Sequence, residues 1–393
     1  MATYGSPLYV YSQTDIENNW REFDTAFGSH PHLVCYAVKA NSNLAVLNTL
    51  AKIGAGFDIV SEGELERVLA AGGQANCCVF SGVAKTAREI KRALEVGVRC
   101  FNVESASELD RIESVAQSLN TQAPISIRIN PNVDAKTHPY ISTGLKENKF
   151  GVDIDDAINL YQQANNSKYL SVQGLDCHIG SQLTEVSPFL DALDKVLELV
   201  DQLNQQGISI AHLDLGGGVG IRYDDEKTID IKAYVEAMIA KVGNIEIILE
   251  PGRSIVGNAG VFITKVEFLK QNSEHSFAII DGAMNDLLRP SFYNAYHQVL
   301  PVDENASGIQ ASWDLVGPIC ETGDFLAKGR ELSLSQGDYL ALMSAGAYGF
   351  TMSSNYNSRP RVAEVMVSGE QHHLVRERET IQDLFEKENI IND

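Results

Sequence analysis

Polar residues close a series of short apolar, β-branched runs: Lys39, Asp58, Ser81, Glu104, Arg128 with Asn130, His178, the run Gly216-Gly217-Gly218, and Glu250. Lys39 follows Val34-Cys35-Tyr36-Ala37-Val38 and admits two readings. It is a rim lysine paired with a carboxylate, or an amine partly desolvated by its strand, with a lowered pKa suited to forming an imine with a carbonyl cofactor. The three glycines are a flexible turn, or a place where backbone N–H groups approach a phosphate closely. Glu250-Pro251-Gly252-Arg253 is an acidic strand end before a turn, or a carboxylate aimed at a site beside an arginine able to grip phosphate or carboxylate. A dinucleotide fingerprint would need glycine at 221, where Ile221 stands, and no Walker loop occurs, so the implied phosphate belongs to a small phosphorylated cofactor. An imine-forming lysine, a phosphate cradle and a carboxylate facing a ring nitrogen are together the demands of pyridoxal 5'-phosphate.

These residues need a scaffold that brings strand ends together. The apolar runs span 33–38, 57–60, 77–80, 99–103, 125–129, 172–179, 211–215 and 246–250, with helical spacing between them. Ser61 and Ser105, each with Glu three positions on, read as helix starts. Eight strands starting about 30 residues apart predict an α/β chain with a (β/α)8 TIM-like barrel, whose chemistry sits at the C-terminal strand ends. The alternative is an open doubly wound sheet; eight evenly spaced strands favour the barrel. The helical pattern at 15–27 is a candidate for the eighth helix. Beyond about residue 260 the rhythm changes to strands at 261–269, 276–280, 298–302, 313–316, 339–343 and 361–367 separated by turn residues. This predicts a second, all-β domain (barrel or sandwich), to which a strand at 8–11 returns. The expected division is 28–260 for the barrel, with 1–27 and 261–393 for the β domain. Residues 377–393 read as a surface helix and tail.

The 393 residues carry 31 basic and 52 acidic side chains, a net charge of −21. Such an excess repels phosphate backbones and anionic lipid, which argues against nucleic acid or membrane as partner. With 44% hydrophobic and 21% charged residues, the chain has the balance of a globular enzyme. None of the six cysteines forms a Cys-x-x-Cys pair, so neither a zinc ribbon nor a disulfide scaffold is indicated, and no metal site is expected. The opening residues show no basic n-region or apolar h-region, and a reducing cytoplasmic location is expected.

The segments Tyr36-Ala37-Val38-Lys39-Ala40-Asn41, Phe57-Asp58-Ile59-Val60-Ser61, His178-Ile179-Gly180-Ser181-Gln182, Leu213-Asp214-Leu215-Gly216-Gly217-Gly218 and Glu250-Pro251-Gly252-Arg253 resemble the pyridoxal-phosphate-dependent decarboxylases of the alanine-racemase-like fold (fold type III). The resemblance runs from near residue 7 to about 380. Within that group His138–Gly144 (HPYISTG), Lys149-Phe150-Gly151, Cys320-Glu321-Thr322-Gly323-Asp324 and Gly346-Ala347-Tyr348-Gly349 are similar to the diaminopimelate decarboxylases. The resemblance implies that Lys39 holds the cofactor as an imine and that His178 lies flat against its ring. Ser181, Gly216, Gly217, Gly218, Gly252, Arg253 and Tyr348 would hold the phosphate, Glu250 would face the ring nitrogen, and Asp58 would be a supporting residue. Substrate contacts would be Arg253, Arg289, Tyr293, Glu321 and Tyr348. Cys320, with Glu321, would enter from the other subunit of a homodimer with a shared active site.

The implied reaction removes the carboxylate at the D-centre of meso-2,6-diaminopimelate, giving L-lysine and CO2, the last step of lysine biosynthesis. Cys320 or Lys39 would return the proton. Three rivals stand beside it: a racemase, a sister decarboxylase of ornithine, arginine or carboxynorspermidine type, and a non-catalytic relative of the fold. A racemase would favour arginine at the ring nitrogen and tyrosine as second base, against Glu250 and Cys320. Retention of both Lys39 and Cys320 counts against the non-catalytic relative.

Overall fold

The computed structural model describes residues 3–133 and 149–391. The motif at 138–144 lies outside the described residues. Two compact units are present: 1–15, 222–226 and 256–393 in one, and 16–221 with 227–255 in the other.

The larger unit is the expected barrel. Leu8–Ser12 is β1 of the chain, and the barrel strands follow as β2 His32–Ala37, β3 Gly56–Ile59, β4 Cys78–Phe80, β5 Cys100–Val103 and β6 Ala123–Asn130. After the two-residue β7 Val152–Asp153 come β8 Leu170–Cys177, β9 His212–Asp214 and β10 Glu246–Leu249. The order β5-β4-β3-β2-β10-β9-β8-β6 closes on itself through the β5–β6 pairing, and β7 adds to β6. All barrel pairings are parallel. Parallel strands covered by helices lose water on both faces, which is why Val34, Phe57, Val79, Phe101 and Ile127 are fully or almost fully buried.

Local chemistry starts and stops the covering helices. Ser61 accepts the Glu64 N–H ahead of Glu62–Ala70, and Ser105 accepts the Glu108 N–H ahead of Ala106–Ser118, both as the sequence predicts. Thr86 and Glu89 form a reciprocal capping box before Ala87–Val96, and Gly97 ends that helix in the left-handed region. The helix Gln13–Ala26 buries Trp20 and Phe23, and Trp20 Nε1 donates to the Val34 carbonyl of β2. From Ile16 onward it groups with the barrel, so the division falls near 15 and 255, where the expected one is at 27 and 260. The amphipathic helix follows the strand on which its apolar face packs.

The second unit holds a nine-stranded mixed sheet. Its strands are β1, β11 Gly260–Gln271, β12 Ser276–Ile280, β13 Val299–Pro301, β14 Ile309–Val316, β15 Phe325–Leu334, β16 Tyr339–Leu342, β17 Ala363–Ser368 and β18 Gln371–Arg376. β1 returns as expected, antiparallel to β11 and parallel to β17. Two strands, β15 and β18, escape the sequence reading. Both carry many charged or polar residues, because each is an edge strand with exposed positions. The expected terminal helix is absent among the described residues: after β18 only one 3-10 turn forms, at Gln382–Leu384. Ile381 and Phe385 stay exposed, so no buried apolar face drives a helix there.

Candidate active site

Lys39 sits two residues past its strand, on the 3-10 turn Val38–Ala40. Register places Ala37 of β2 opposite Asp58 of β3, and Lys39 Nζ lies 2.8 Å from Asp58 Oδ2. The lysine side chain is 39% exposed and the Asp58 side chain 0%. The amine therefore reaches the barrel mouth while a buried carboxylate holds it from below.

His178 follows β8. Its Nδ1 accepts the Gly217 N–H at 3.1 Å, so the ring proton of the neutral form is on Nε2. Burial, then the Arg128 and Lys39 cations, hold its pKa well below the ordinary histidine range. The imidazole is thus an uncharged flat plate.

The glycine run follows β9 and leans on β10. Gly216 adopts φ +66° and Gly218 φ +103°. A Cβ on Gly217 would meet the Glu250 carbonyl oxygen at 2.1 Å, and one on Gly218 the Gly180 carbonyl oxygen at 2.5 Å. Gly216 N–H donates to Asp214 Oδ1 at 3.0 Å, and Glu250 N–H donates to the Gly216 carbonyl at 2.7 Å. Glycine is required here because three backbones converge. Arg253 opens the turn Arg253–Val256 after β10, and its Nη2 donates to Ser181 Oγ at 3.2 Å.

Below the mouth lies a layer of buried acids. Oxygens of Asp176, Asp214 and Glu250 all lie within 4.8 Å of one another. Burial, then the Asp214, Asp58 and Asp176 carboxylates, raise the Glu250 pKa well above the carboxylate range. Burial likewise raises Asp176, and pushes Asp214 up to about 6. Asn102 Nδ2 bridges Ser81 Oγ and Asp214 Oδ2, joining β5 to β9 through the barrel interior, and its Oδ1 accepts from Ser126. Ser81 Oγ lies 3.5 Å from Glu250 Oε1. Arg128 Nη1 is 3.1 Å from Glu104 Oε1, and its Nε is 3.8 Å from Asp176 Oδ2.

Such a layer has a physical requirement: ionised acids this close and this buried need a cation beside them. A protonated pyridine nitrogen held beside Glu250 would supply one. The uncharged ring of His178 suits a stacked aromatic ring, Lys39 suits an aldehyde carbon, and Arg253, Ser181 and the glycine backbone suit a phosphate ester. The residues present therefore fit pyridoxal phosphate.

Gly252 precedes Arg253 in the barrel unit, and the remaining expected residues lie in the sheet unit. Arg289, buried, and half-buried Tyr293 share the helical turn Arg289–Tyr293. Ser291 on that turn donates to the Gly323 carbonyl at 2.8 Å, which ties it to the loop carrying Cys320 and Glu321. Asp324 braces the loop by accepting the Ile319 and Met284 N–H groups at 2.8 and 2.7 Å. Cys320 is exposed, with its N–H donating to Asn357 Oδ1 at 2.9 Å, and Tyr356 OH donates to Glu321 Oε1 at 2.6 Å. Tyr348 is half-buried at φ +56°. The sequence reading does not single out Asn102, Ser126 or Asp176. The available signal was a polar residue inside an otherwise apolar strand, as in Leu175-Asp176-Cys177.

The sequence model of the family described as pyridoxal-dependent decarboxylase, pyridoxal binding domain, matches residues 13–257. The diaminopimelate decarboxylase of Haemophilus influenzae is 56% identical over 391 residues, covering 99% of this chain and 94% of that protein. This chain belongs to the diaminopimelate decarboxylases. The Pseudomonas aeruginosa diaminopimelate decarboxylase is 58% identical, with 99% and 94% covered. The crystal structure of the Helicobacter pylori diaminopimelate decarboxylase complexed with L-lysine superposes with a TM-score of 0.95 at 43% identity, covering 98% of each chain. Like its family, this chain uses pyridoxal phosphate to remove a carboxylate. Among the described residues no helix is long and apolar enough to cross a membrane.

Proposed function

We propose that this chain decarboxylates meso-2,6-diaminopimelate at its D-centre to L-lysine and CO2, the last step of lysine biosynthesis, as a cytoplasmic homodimer with a shared active site. The observation that carries the reading is Lys39 held by Asp58 above the acid layer that contains Glu250. The Helicobacter pylori relative holds L-lysine, which is the proposed product.

When bound, pyridoxal phosphate supplies an electron sink for the carbon that loses CO2. Lys39 Nζ anchors the cofactor, and Asp58 orients the amine when it is released. Arg253, Ser181, Gly216, Gly217, Gly218, Gly252 and Tyr348 hold the phosphate. Glu250 keeps a proton on the ring nitrogen, because its own charge is costly unless a cation lies beside it. His178 presents its flat neutral face, and excludes water from the ring. Arg253, Arg289, Tyr293, Glu321 and Tyr348 grip the substrate; Arg289 suits its distal carboxylate and Glu321 its distal ammonium. Cys320 enters with Glu321 from the second subunit, and its Sγ delivers the proton that replaces CO2 on the α-carbon.

A diamine-forming enzyme acting on ornithine has no use for a clamp on a distal carboxylate. The test is CO2 release from meso-diaminopimelate beside ornithine, lysine, arginine and carboxynorspermidine. Turnover of diaminopimelate alone is expected. Turnover of another substrate with none on diaminopimelate would overturn the proposal.

A further inference from the structure

In the sheet unit, two neighbouring residues grip two neighbouring residues of another loop. Tyr356 OH donates to Glu321 Oε1 at 2.6 Å, and Asn357 Oδ1 accepts the Cys320 N–H at 2.9 Å. The gripping backbone is one that L-residues rarely adopt: Asn357 has φ +55° and Ser358 φ +53°, both in the left-handed region. Such a shape persists only where its surroundings fix it, and here both ends are tied down. Ser354 N–H donates to the Asn285 carbonyl at 2.9 Å, and Asn285 Nδ2 donates back to the Ser354 carbonyl at 3.1 Å. At the other end Arg359 Nη2 donates to the Asp281 carbonyl at 2.7 Å. The neighbouring Met284 N–H holds Asp324 of the Cys320 loop. One segment, 281–285, therefore carries both loops and sets the distance between them.

Stability does not account for the Tyr356–Glu321 pair. Tyr356 is 44% exposed and Glu321 is exposed as well, and a hydrogen bond that water can replace adds little to folding. Orientation does account for it. A glutamate side chain has several free torsions, and ordering them at the moment of binding weakens its hold on a ligand. A phenol donates one hydrogen and brings no charge of its own, so it fixes one carboxylate oxygen without itself cancelling the charge. The bond to Glu321 raises the Tyr356 pKa, which keeps the phenol the donor. We infer that Tyr356 is a positioning residue that pre-orients the Glu321 carboxylate toward the substrate's distal ammonium, and so sets the preference for substrates with an amine at that end. Asn357 keeps the two loops in register. The gripping and gripped residues share one compact unit, so the brace accompanies Glu321 to the site it serves. The inference rests on Glu321 being a substrate contact, as proposed above.

L-lysine keeps the distal ammonium, while ε-aminocaproate is the same chain without it. Dissociation constants of both, measured by calorimetry on holoenzyme, therefore isolate the contact. For Tyr356→Phe, the L-lysine constant and KM for diaminopimelate should rise about threefold to thirtyfold, with kcat moving less than KM and the ε-aminocaproate constant nearly unchanged. Glu321→Ala should weaken L-lysine selectively. Adding Tyr356→Phe to Glu321→Ala should cost nothing further, because the hydroxyl then has no carboxylate to orient. Cofactor absorbance and the unfolding midpoint verify that each variant is folded, and Tyr356→Leu repeats the loss of the hydroxyl if Tyr356→Phe fails to fold. An unchanged L-lysine constant in Tyr356→Phe, equal weakening of both ligands, or an undiminished Tyr356→Phe effect in the Glu321→Ala background would overturn the inference. Glu321→Ala also separates the two levels. If it weakens L-lysine selectively while the Tyr356 variants do not, only the positioning role fails. If it leaves L-lysine binding intact, the substrate contact and the inference built on it both fall.

Discussion

Glu250→Gln should stabilise the barrel without its cofactor and weaken it with the cofactor bound. Asp214, in the same layer, shows the sign of the effect. Burial pushes its carboxyl from an ordinary 3.8 to about 6. Below about pH 4 Asp214 is protonated in both the folded and unfolded chain, and the site carries no penalty. Between about 4 and 6 the unfolded carboxyl has released its proton while the folded one retains it, so stability falls as pH rises. Above about 6 both are ionised and the whole penalty is present, about 3 kcal/mol at 1.36 kcal/mol per pH unit. Glu250 is raised well above its ordinary 4.5 by the same burial and by its acidic neighbours, so its penalty has the same sign. Glutamine removes that penalty and can still accept from Ser81. Urea unfolding of apoprotein, followed by circular dichroism at pH 5 and pH 8, measures it. The variant should be more stable than wild type at pH 8, with the gap shrinking towards pH 5. Holoprotein should reverse the order, with cofactor affinity at least about tenfold weaker, because an ionised Glu250 and the pyridinium stabilise each other. An apo variant no more stable than wild type at pH 8, or a gap independent of pH, would refute the idea that these acids await a cation.

Gly217→Ala should weaken the cofactor about tenfold to a hundredfold, since a Cβ 2.1 Å from the Glu250 carbonyl oxygen forces the loop to move. Titration of apoprotein with pyridoxal phosphate measures this, and an unchanged dissociation constant would remove the loop from the cradle. Cys320→Ala should lose about a hundredfold to ten-thousandfold in kcat while keeping the cofactor's absorbance. An unaltered kcat in that variant would transfer the proton-donor role to Lys39.

Much of the barrel was legible along the chain, because its strands lose water on both faces and tend to be continuous apolar runs, as at Val34–Val38 and Cys78–Phe80. The first strand's return to the sheet unit was legible for the same reason. The edge strands β15 and β18 were not, since an edge position exposes Lys328, Glu331, His372 and His373 and erases the alternation on which a sequence reading relies. The catalytic candidates Lys39, Asp58, His178, Glu250 and Arg253 were legible as polar residues at strand ends. Asn102, Ser126 and Asp176 were not, because the one local signal, a polar residue inside an apolar strand, does not say whether it faces the barrel interior or a helix.

By itself, the sequence determined which residue types were on offer: an amine, a neutral-capable imidazole, a glycine run, a carboxylate and an arginine at regular intervals after apolar strands. Those intervals follow from the length of a strand, a helix and two loops, so they are written in one dimension. The tertiary structure decided charge and orientation. Only closure of β5 onto β6 brings Asn102 to Asp214 and packs Asp176, Asp214 and Glu250 within 4.8 Å, far apart as they are in sequence. Only the fold of the sheet unit brings His297 Nε2 to 2.9 Å from Arg289 Nη1. Coulomb energy and desolvation depend on distances through space and on water removed, and neither quantity exists until the chain has closed.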